Sequence, residues 1–73
     1  MVKPTKVTNS IRTLRESAGL TQAELAGRIG VTRQTLIAIE QGRYSPTLEL
    51  AFQISHVFNA GLDDVFQYPE ASS

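Results

Sequence analysis

Only two residues, Gly30 and Val31, lie between two stretches of this 73-residue chain that each carry a helix start signal and a one-sided apolar pattern. Thr21 precedes Glu24 by three residues, the spacing of a capping box, in which each side chain satisfies the other residue's free backbone N–H. Thr32 stands at the head of the next stretch, which runs to Gln41. Two helices joined so tightly must cross at a steep angle, with Gly30 free to adopt positive φ and Val31 anchoring the turn. Leu25 and Ile29 then face Leu36 and Ile39, and Ala26 sits where a larger side chain would push the helices apart. Six positions, counting Gly30, agree on this one arrangement.

The remaining punctuation sets three more helices around that pair. Gly19, Gly30, Gly42 and Gly61 each follow a periodic apolar stretch and read as helix stops. Ser10 is the expected cap of a first helix reaching about Ala18, with Ile11, Leu14 and Ala18 on its core face. Thr47, preceded by Pro46, caps a fourth that carries Leu48, Leu50, Ala51, Phe52, Ile54, Val57 and Phe58. These cover more than half of a helical wheel, which predicts that helix four is the buried one. A short fifth, Leu62 to Phe66, places Asp63 and Asp64 in its first turn, where the helix dipole favours negative charge. Lys6-Val7-Thr8 and Phe66-Gln67-Tyr68 carry the β-branched and aromatic residues of short strands, able to pair if the termini meet, though such a ribbon is weak alone. The expected organisation is an all-α five-helix bundle over residues 10–68. An N-terminal extension with a candidate strand covers 1–9, and a disordered tail covers 69–73.

Size and composition narrow the functions open to such a chain. There is room for one domain and one core, and none for a separate sensor or catalytic unit. A domain this small buries only about 60% of its unfolded surface, so a second copy adding buried area is a reasonable expectation. The absence of cysteine excludes a disulfide framework and a thiolate metal site, and with one histidine no metal or cofactor site is expected. No apolar run approaches a membrane span and no signal-like segment opens the chain, so the expected location is the cytoplasm. Net charge is zero, yet residues 1–43 hold all seven basic residues against three acids, while residues 44–73 hold four acids and no lysine or arginine. A +4 half joined to a −4 half suits a protein with one side facing nucleic acid.

The third helix shows what the crossing is for. At 100° per residue, Thr35, Leu36 and Ile39 point inward, whereas Arg33, Gln34, Ile37, Ala38 and Gln41 form an outward arc without an acid. A merely solvated face would mix glutamate with lysine. A guanidinium, carboxamides and small apolar groups instead suit base edges in the major groove: Arg against guanine, Gln against adenine, methyls against thymine. Arg33, Gln34, Ile37 and Ala38 are the candidate base readers, the first two in the turn that enters the groove deepest. Candidate phosphate contacts flank them at Gln22, where the second helix presents free N–H groups, at Thr32, Thr35 and Gln41, and at Arg43 in the following loop. Arg12 and Lys6 are weaker phosphate candidates and read more readily as ordinary surface charges. Arg15 and Glu40 are expected to form an ion pair that ties helix one to helix three and orients it.

Gly19-Leu20-Thr21-Gln22-Ala23-Glu24-Leu25-Ala26, Val31-Thr32-Arg33-Gln34-Thr35 and Ile39-Glu40-Gln41-Gly42 together resemble the DNA-binding domain of the Xre, or Cro/cI, family of repressors. The likeness spans roughly Ser10 to Phe66. It implies a lambda-repressor-like bundle, a two-fold dimer on a double-stranded DNA operator, and base contacts at Arg33, Gln34, Ile37 and Ala38. It also implies a phosphate contact at Gln22 and the Arg15–Glu40 pair. Tyr44 to Phe52 and Asp64-Val65-Phe66 resemble the short stand-alone members, whose chain ends can add a small antiparallel sheet. Ala38 departs from the pattern, since members often carry a longer polar side chain there. Residues 1–6 have no counterpart in it. For the dimer surface the expectation is Asn59, Leu62 and Val65.

Two other classes have weaker support. An enzyme would have to use His56, which sits beside Glu49 and Gln53 without a nucleophile in any recognisable motif. A protein-binding module, an antitoxin for example, would use Ile37, Leu62 and Val65 and keep the helix pair as scaffold. Salt separates that reading from DNA binding, because phosphate contacts weaken steeply as salt is added.

Overall fold

The computed structural model describes residues 5–69. Its elements run β1 (Thr8–Asn9), α1 (Ile11–Ser17), α2 (Gln22–Ile29), α3 (Arg33–Glu40), α4 (Leu48–Val57), α5 (Leu62–Val65) and β2 (Phe66–Gln67). Five helices thus carry one two-stranded antiparallel sheet, in which Thr8 pairs with Gln67 and Asn9 with Phe66. The ribbon expected from the chain ends exists, displaced toward Asn9 on the N-terminal side. Of the N-terminal extension expected over residues 1–9 and the tail over 69–73, residues 1–4 and 70–73 lie outside the described residues.

The capping box at α2 is complete: the Glu24 N–H donates to the Thr21 hydroxyl at 3.0 Å, and the Thr21 N–H donates to Glu24 Oε1 at 2.8 Å. Thr32 and Thr47 accept in the same way from the N–H groups of Thr35 and Leu50. Helix α1 corrects one expectation. Ser10 holds the cap position but its side chain makes no capping bond, and its N–H donates to the Val65 carbonyl at 2.8 Å. Asn9 does the work instead, accepting from the Ile11 N–H at 3.1 Å.

Helices α1 to α4 end by one device, in which a left-handed residue lets the following N–H reach back to a carbonyl five residues earlier. The N–H groups of Leu20, Val31, Arg43 and Ala60 donate to the carbonyls of Arg15, Ala26, Ala38 and Ser55 at 2.9–3.0 Å. Glycine fills the left-handed position three times; after α4 it is Asn59, with φ of 52°, and not Gly61. Gly61 instead starts α5, where its N–H donates to Asp64 Oδ2 at 3.2 Å. Asparagine tolerates this conformation better than other side-chain-bearing residues, which is why a glycine-only reading put the stop two residues late.

Ile11, Leu25, Ala26, Ile29, Leu36, Ile39, Ile54 and Val65 form one core, with Leu14, Val31, Leu50, Val57 and Phe58 packed against it. All six positions of the α2–α3 crossing behave as expected, five by burial and Gly30 by a φ of 74°. Three other expectations change. Ala18 is exposed, because α1 stops at Ser17 and the chain turns away. Helix α4 is buried on one side only: Ala51, Ile54 and Ser55 face inward, while Leu48 and Phe52 are 66% and 45% exposed. A bundle this small has no further layer to lay over that face. Val65 is fully buried and its side chain belongs to the core, so it cannot form a dimer surface.

Candidate nucleic-acid interface

Helix α3 is anchored by Leu36 and Ile39, and its two ends are held by separate devices. Thr32 caps the start, and its hydroxyl also donates to the Thr35 hydroxyl at 3.0 Å. At the other end Glu40 turns inward, its side chain only 5% exposed, and accepts from Arg15 Nε at 2.8 Å and, more loosely, from Arg15 Nη2 at 3.4 Å. Arg15 also donates to the Leu20 carbonyl at 3.0 Å, and the Gln22 carboxamide donates to Glu40 at 3.4 Å. The expected pair between α1 and α3 is therefore in place, and it extends to α2. Breaking such a pair costs far more than its net contribution to stability, since the partner is left buried and uncompensated.

With Glu40 paired, the outward side of α3 carries no free acid. Arg33 and Gln34 are exposed, as are Gln41 and Arg43, while Thr35, Ile37 and Ala38 are half-buried. Thr35 thus sits at the edge of the inward side and is not fully in the core. An open groove of about 830 Å³ runs from α1 and the start of α2 to α3, lined by Arg12, Gln22, Arg33 and Gln41 among others. Gln22 is half-buried, and its carboxamide donates to Glu40. Arg12 leans on Glu16 at 3.3 Å in an exposed pair. The Thr21 backbone N–H, and after it the Thr21 hydroxyl, hold the Glu24 carboxyl below its ordinary value of 4.5. That keeps a charge at the start of α2 that complements the helix dipole.

Two residues around α3 went unnoticed in the sequence. Asn9 donates from Nδ2 to the Ile39 carbonyl at 2.8 Å, so one side chain both caps α1 and fixes the last turn of α3. The Asn9-Ser10 doublet signals a cap but not which of the two residues supplies it. Tyr44 is 45% exposed and lines a depression with Gln34, Thr35 and Ala38. Of the three residues expected at a dimer surface, Asn59 is exposed and Leu62 half-buried. Leu62 lies with Val7 and Phe66 between two adjoining apolar depressions. His56 and Glu49 are exposed on α4, and no cluster of three or more metal-ligating side chains occurs among the described residues. No helix among them is long and apolar enough to cross a membrane.

A tightly joined helix pair whose second member is anchored below and free of acid above defines a helix-turn-helix domain. The helix-turn-helix family HTH_3 matches residues 11–65. A Methanothermobacter thermautotrophicus protein described as an uncharacterized HTH-type transcriptional regulator is 54% identical over 57 residues, covering 77% of this chain and 83% of its own. The Bacillus subtilis regulator YgzD is 44% identical over 62 residues, covering 85% of this chain and 94% of its own. Among solved structures, the clp gene regulator ClgR of Corynebacterium glutamicum superposes with a TM-score of 0.69 at 31% identity, over 74% of this chain and 57% of that one. The restriction-modification controller C.AhdI of Aeromonas hydrophila shares the fold, with a TM-score of 0.68 at 24% identity over 74% and 78%. The chain belongs to this helix-turn-helix family, of the Xre or Cro/cI type. It is a transcriptional regulator with a DNA-binding domain, and its family and relatives are regulators, not enzymes.

Proposed function

We propose that the protein is a sequence-specific repressor that binds a pseudo-palindromic operator as a homodimer in the cytoplasm, reading bases through the major groove. The observation that carries this reading is the exposed, acid-free arc of α3, held by Leu36 and Ile39 from below and by the Arg15–Glu40 pair at its end. Arg33 and Gln34 contact base edges, with Ile37 and Ala38 giving apolar contact beside them. Gln22, Thr32, Thr35, Gln41 and Arg43 meet the phosphates on either side, where they set register and orientation without reading sequence. The dimer places two α3 helices about 34 Å apart in successive major grooves. Its surface centres on Leu62 and Asn59, and takes in Val7 and Phe66 in place of the buried Val65. Operator occupancy then excludes polymerase.

Selection of bound fragments from genomic DNA tests the whole reading. The expected product is a two-fold symmetric site with half-sites one helical turn apart, bound with an affinity that falls steeply with salt. Enrichment of no sequence, or of asymmetric single sites bound by a monomer, would overturn it. Leu62→Lys is expected to separate the copies and lower operator affinity while leaving the fold intact, which sedimentation and circular dichroism check together.

A further inference from the structure

The close of α3 brings a loop residue back beside its outer face. Gly42 takes a φ of 76°, its N–H donates to the Ile39 carbonyl, and the Arg43 N–H donates to the Ala38 carbonyl at 2.9 Å. This hairpin-like stop reverses the chain by one helical turn, so that the next residue, Tyr44, stands alongside Ala38 and not beyond Gln41. Gln34, Thr35, Ala38 and Tyr44 together line an open notch of about 370 Å³, walled mostly by carbon. The notch shares Gln34 and Ala38 with the acid-free arc of α3, and Tyr44 joins it from the loop that follows Arg43. It exists because residue 38 is alanine. A longer side chain there would fill the space between the helix and the tyrosine ring.

We infer that this notch seats the 5-methyl group of a thymine, with Tyr44 as a specificity-determining residue that works together with Ala38. The inference rests on the DNA-reading proposed above. The argument for this occupant is the chemistry of the groove that α3 enters. A base pair shows donors and acceptors there, and the thymine methyl is the one apolar group among them. A notch walled mostly by carbon and bordered by a carboxamide proposed to read base edges is matched by that methyl. A phosphate, or the polar edge of a purine, would leave the carbon walls of Ala38 and Tyr44 unmatched. The departure of Ala38 from longer polar side chains thus does not remove readout at this position. It exchanges a hydrogen bond from the helix for an apolar contact shared with the loop.

The test uses the full chain and the duplex recovered by the genomic selection, with each thymine in turn replaced by deoxyuridine, which removes only the methyl. In the wild-type protein one thymine in each half-site is expected to show about a fourfold loss of affinity, the worth of one buried methyl. Tyr44→Phe keeps the carbon wall and is expected to keep that ratio. Tyr44→Ala, which opens the notch, and Ala38→Leu, which fills it, are expected to bring the ratio close to one. Thermal unfolding of each variant verifies that the fold is retained. A thymine-to-uracil ratio in Tyr44→Ala equal to that of the wild type overturns the seat and leaves base reading by Arg33 and Gln34 standing. Loss of affinity in Tyr44→Phe that is uniform over all substituted duplexes, with no single thymine standing out in the wild type, overturns it in favour of a hydroxyl–phosphate contact. If the selection enriches no sequence, the base-reading proposal and the seat fall together.

Discussion

Helices α3 and α4 begin and end by the same means and differ in what they present to solvent. Each starts at a threonine whose hydroxyl accepts an N–H three residues on, at 3.1 Å and 3.2 Å. Each closes on a left-handed residue, Gly42 and Asn59. Both bury a polar side chain, but Glu40 of α3 is bonded to Arg15 on α1 and to Gln22 on α2, while Ser55 of α4 donates to the Ala51 carbonyl of its own helix at 3.0 Å. Outside, α3 offers Arg33 and Gln34, whereas α4 offers Leu48 and Phe52 beside Glu49 and His56. Helix start and stop signals therefore say where a helix lies and nothing of its role. The role is carried by the charge of the outer face and by whether the inner polar groups tie the helix to its neighbours.

The largest expected effect separates those two inner groups. Glu40→Ala leaves the Arg15 guanidinium buried without its carboxylate, and is expected to lower unfolding stability by about 3–5 kcal/mol. Ser55→Ala removes a hydroxyl already satisfied within one helix and is expected to cost about 1 kcal/mol or less. Urea unfolding of the two variants measures the difference. Equal losses would mean that the pair does not hold α3 in place. The double replacement Arg15→Met with Glu40→Leu is expected to recover most of the loss, because an apolar pair of similar volume leaves no buried charge.

The outer faces are separated by DNA binding. Gln34→Ala is expected to cost about 1–3 kcal/mol on the selected operator and to relax preference at one base pair. Arg43→Ala is expected to weaken operator and random DNA alike and to reduce the salt slope by about one. Phe52→Ala, on the outer side of α4, is expected to change neither. If Gln34 and Arg43 substitutions acted identically on operator and random duplexes, the division between base readers and phosphate contacts would be wrong.

How much of this was legible in sequence depended on whether the signal was local. The α2–α3 crossing was, because the box at Thr21 and Glu24, the left-handed Gly30 and the four large apolar residues are fixed by neighbours along the chain. The Arg15–Glu40 pair, 25 residues apart in sequence, was legible only because the family resemblance implies it and the two residues fall on facing sides of α1 and α3. The exposed face of α4 was not, since a helical wheel shows which residues are apolar but not how many other elements exist to cover them. Val65 reads as surface for the converse reason: a single turn of helix gives no periodicity from which to tell its inner side. Asn9 and Tyr44 act across the fold, through the Ile39 carbonyl and the notch at Ala38, and no spacing in the sequence encodes either contact.

A smaller pair of effects sharpens the likeness between the two start signals. Thr32→Ala and Thr47→Ala each remove one cap and are each expected to cost about 1 kcal/mol of stability. Only Thr32→Ala is expected to weaken DNA binding as well, because it loosens the turn that carries Arg33 and Gln34. Comparable losses of affinity from Thr47→Ala would show that the cap acts through global stability, not through the reading surface.

The smallest effect concerns the charged capping side chain at the start of α2. At the third position of α2 stands Glu24, whereas α3 and α4 have Thr35 and Leu50 there. Glu24 is held below its ordinary value of 4.5 first by the Thr21 backbone N–H and then by the Thr21 hydroxyl. A carboxyl whose value is lowered by folding binds its proton more weakly in the folded state, so its stabilisation is complete above the ordinary value and is lost as pH falls through the lowered one. Glu24→Gln keeps a capping side chain but not the charge. The wild type is therefore expected to melt slightly above Glu24→Gln at neutral pH, and the gap is expected to close as pH falls below the ordinary carboxyl value of 4.5 and through the lowered one. Thermal melts of the two proteins over that range follow the gap directly. A gap that stayed constant with pH would assign the difference to amide geometry, and the charge at the start of α2 would have no part in holding the helix pair.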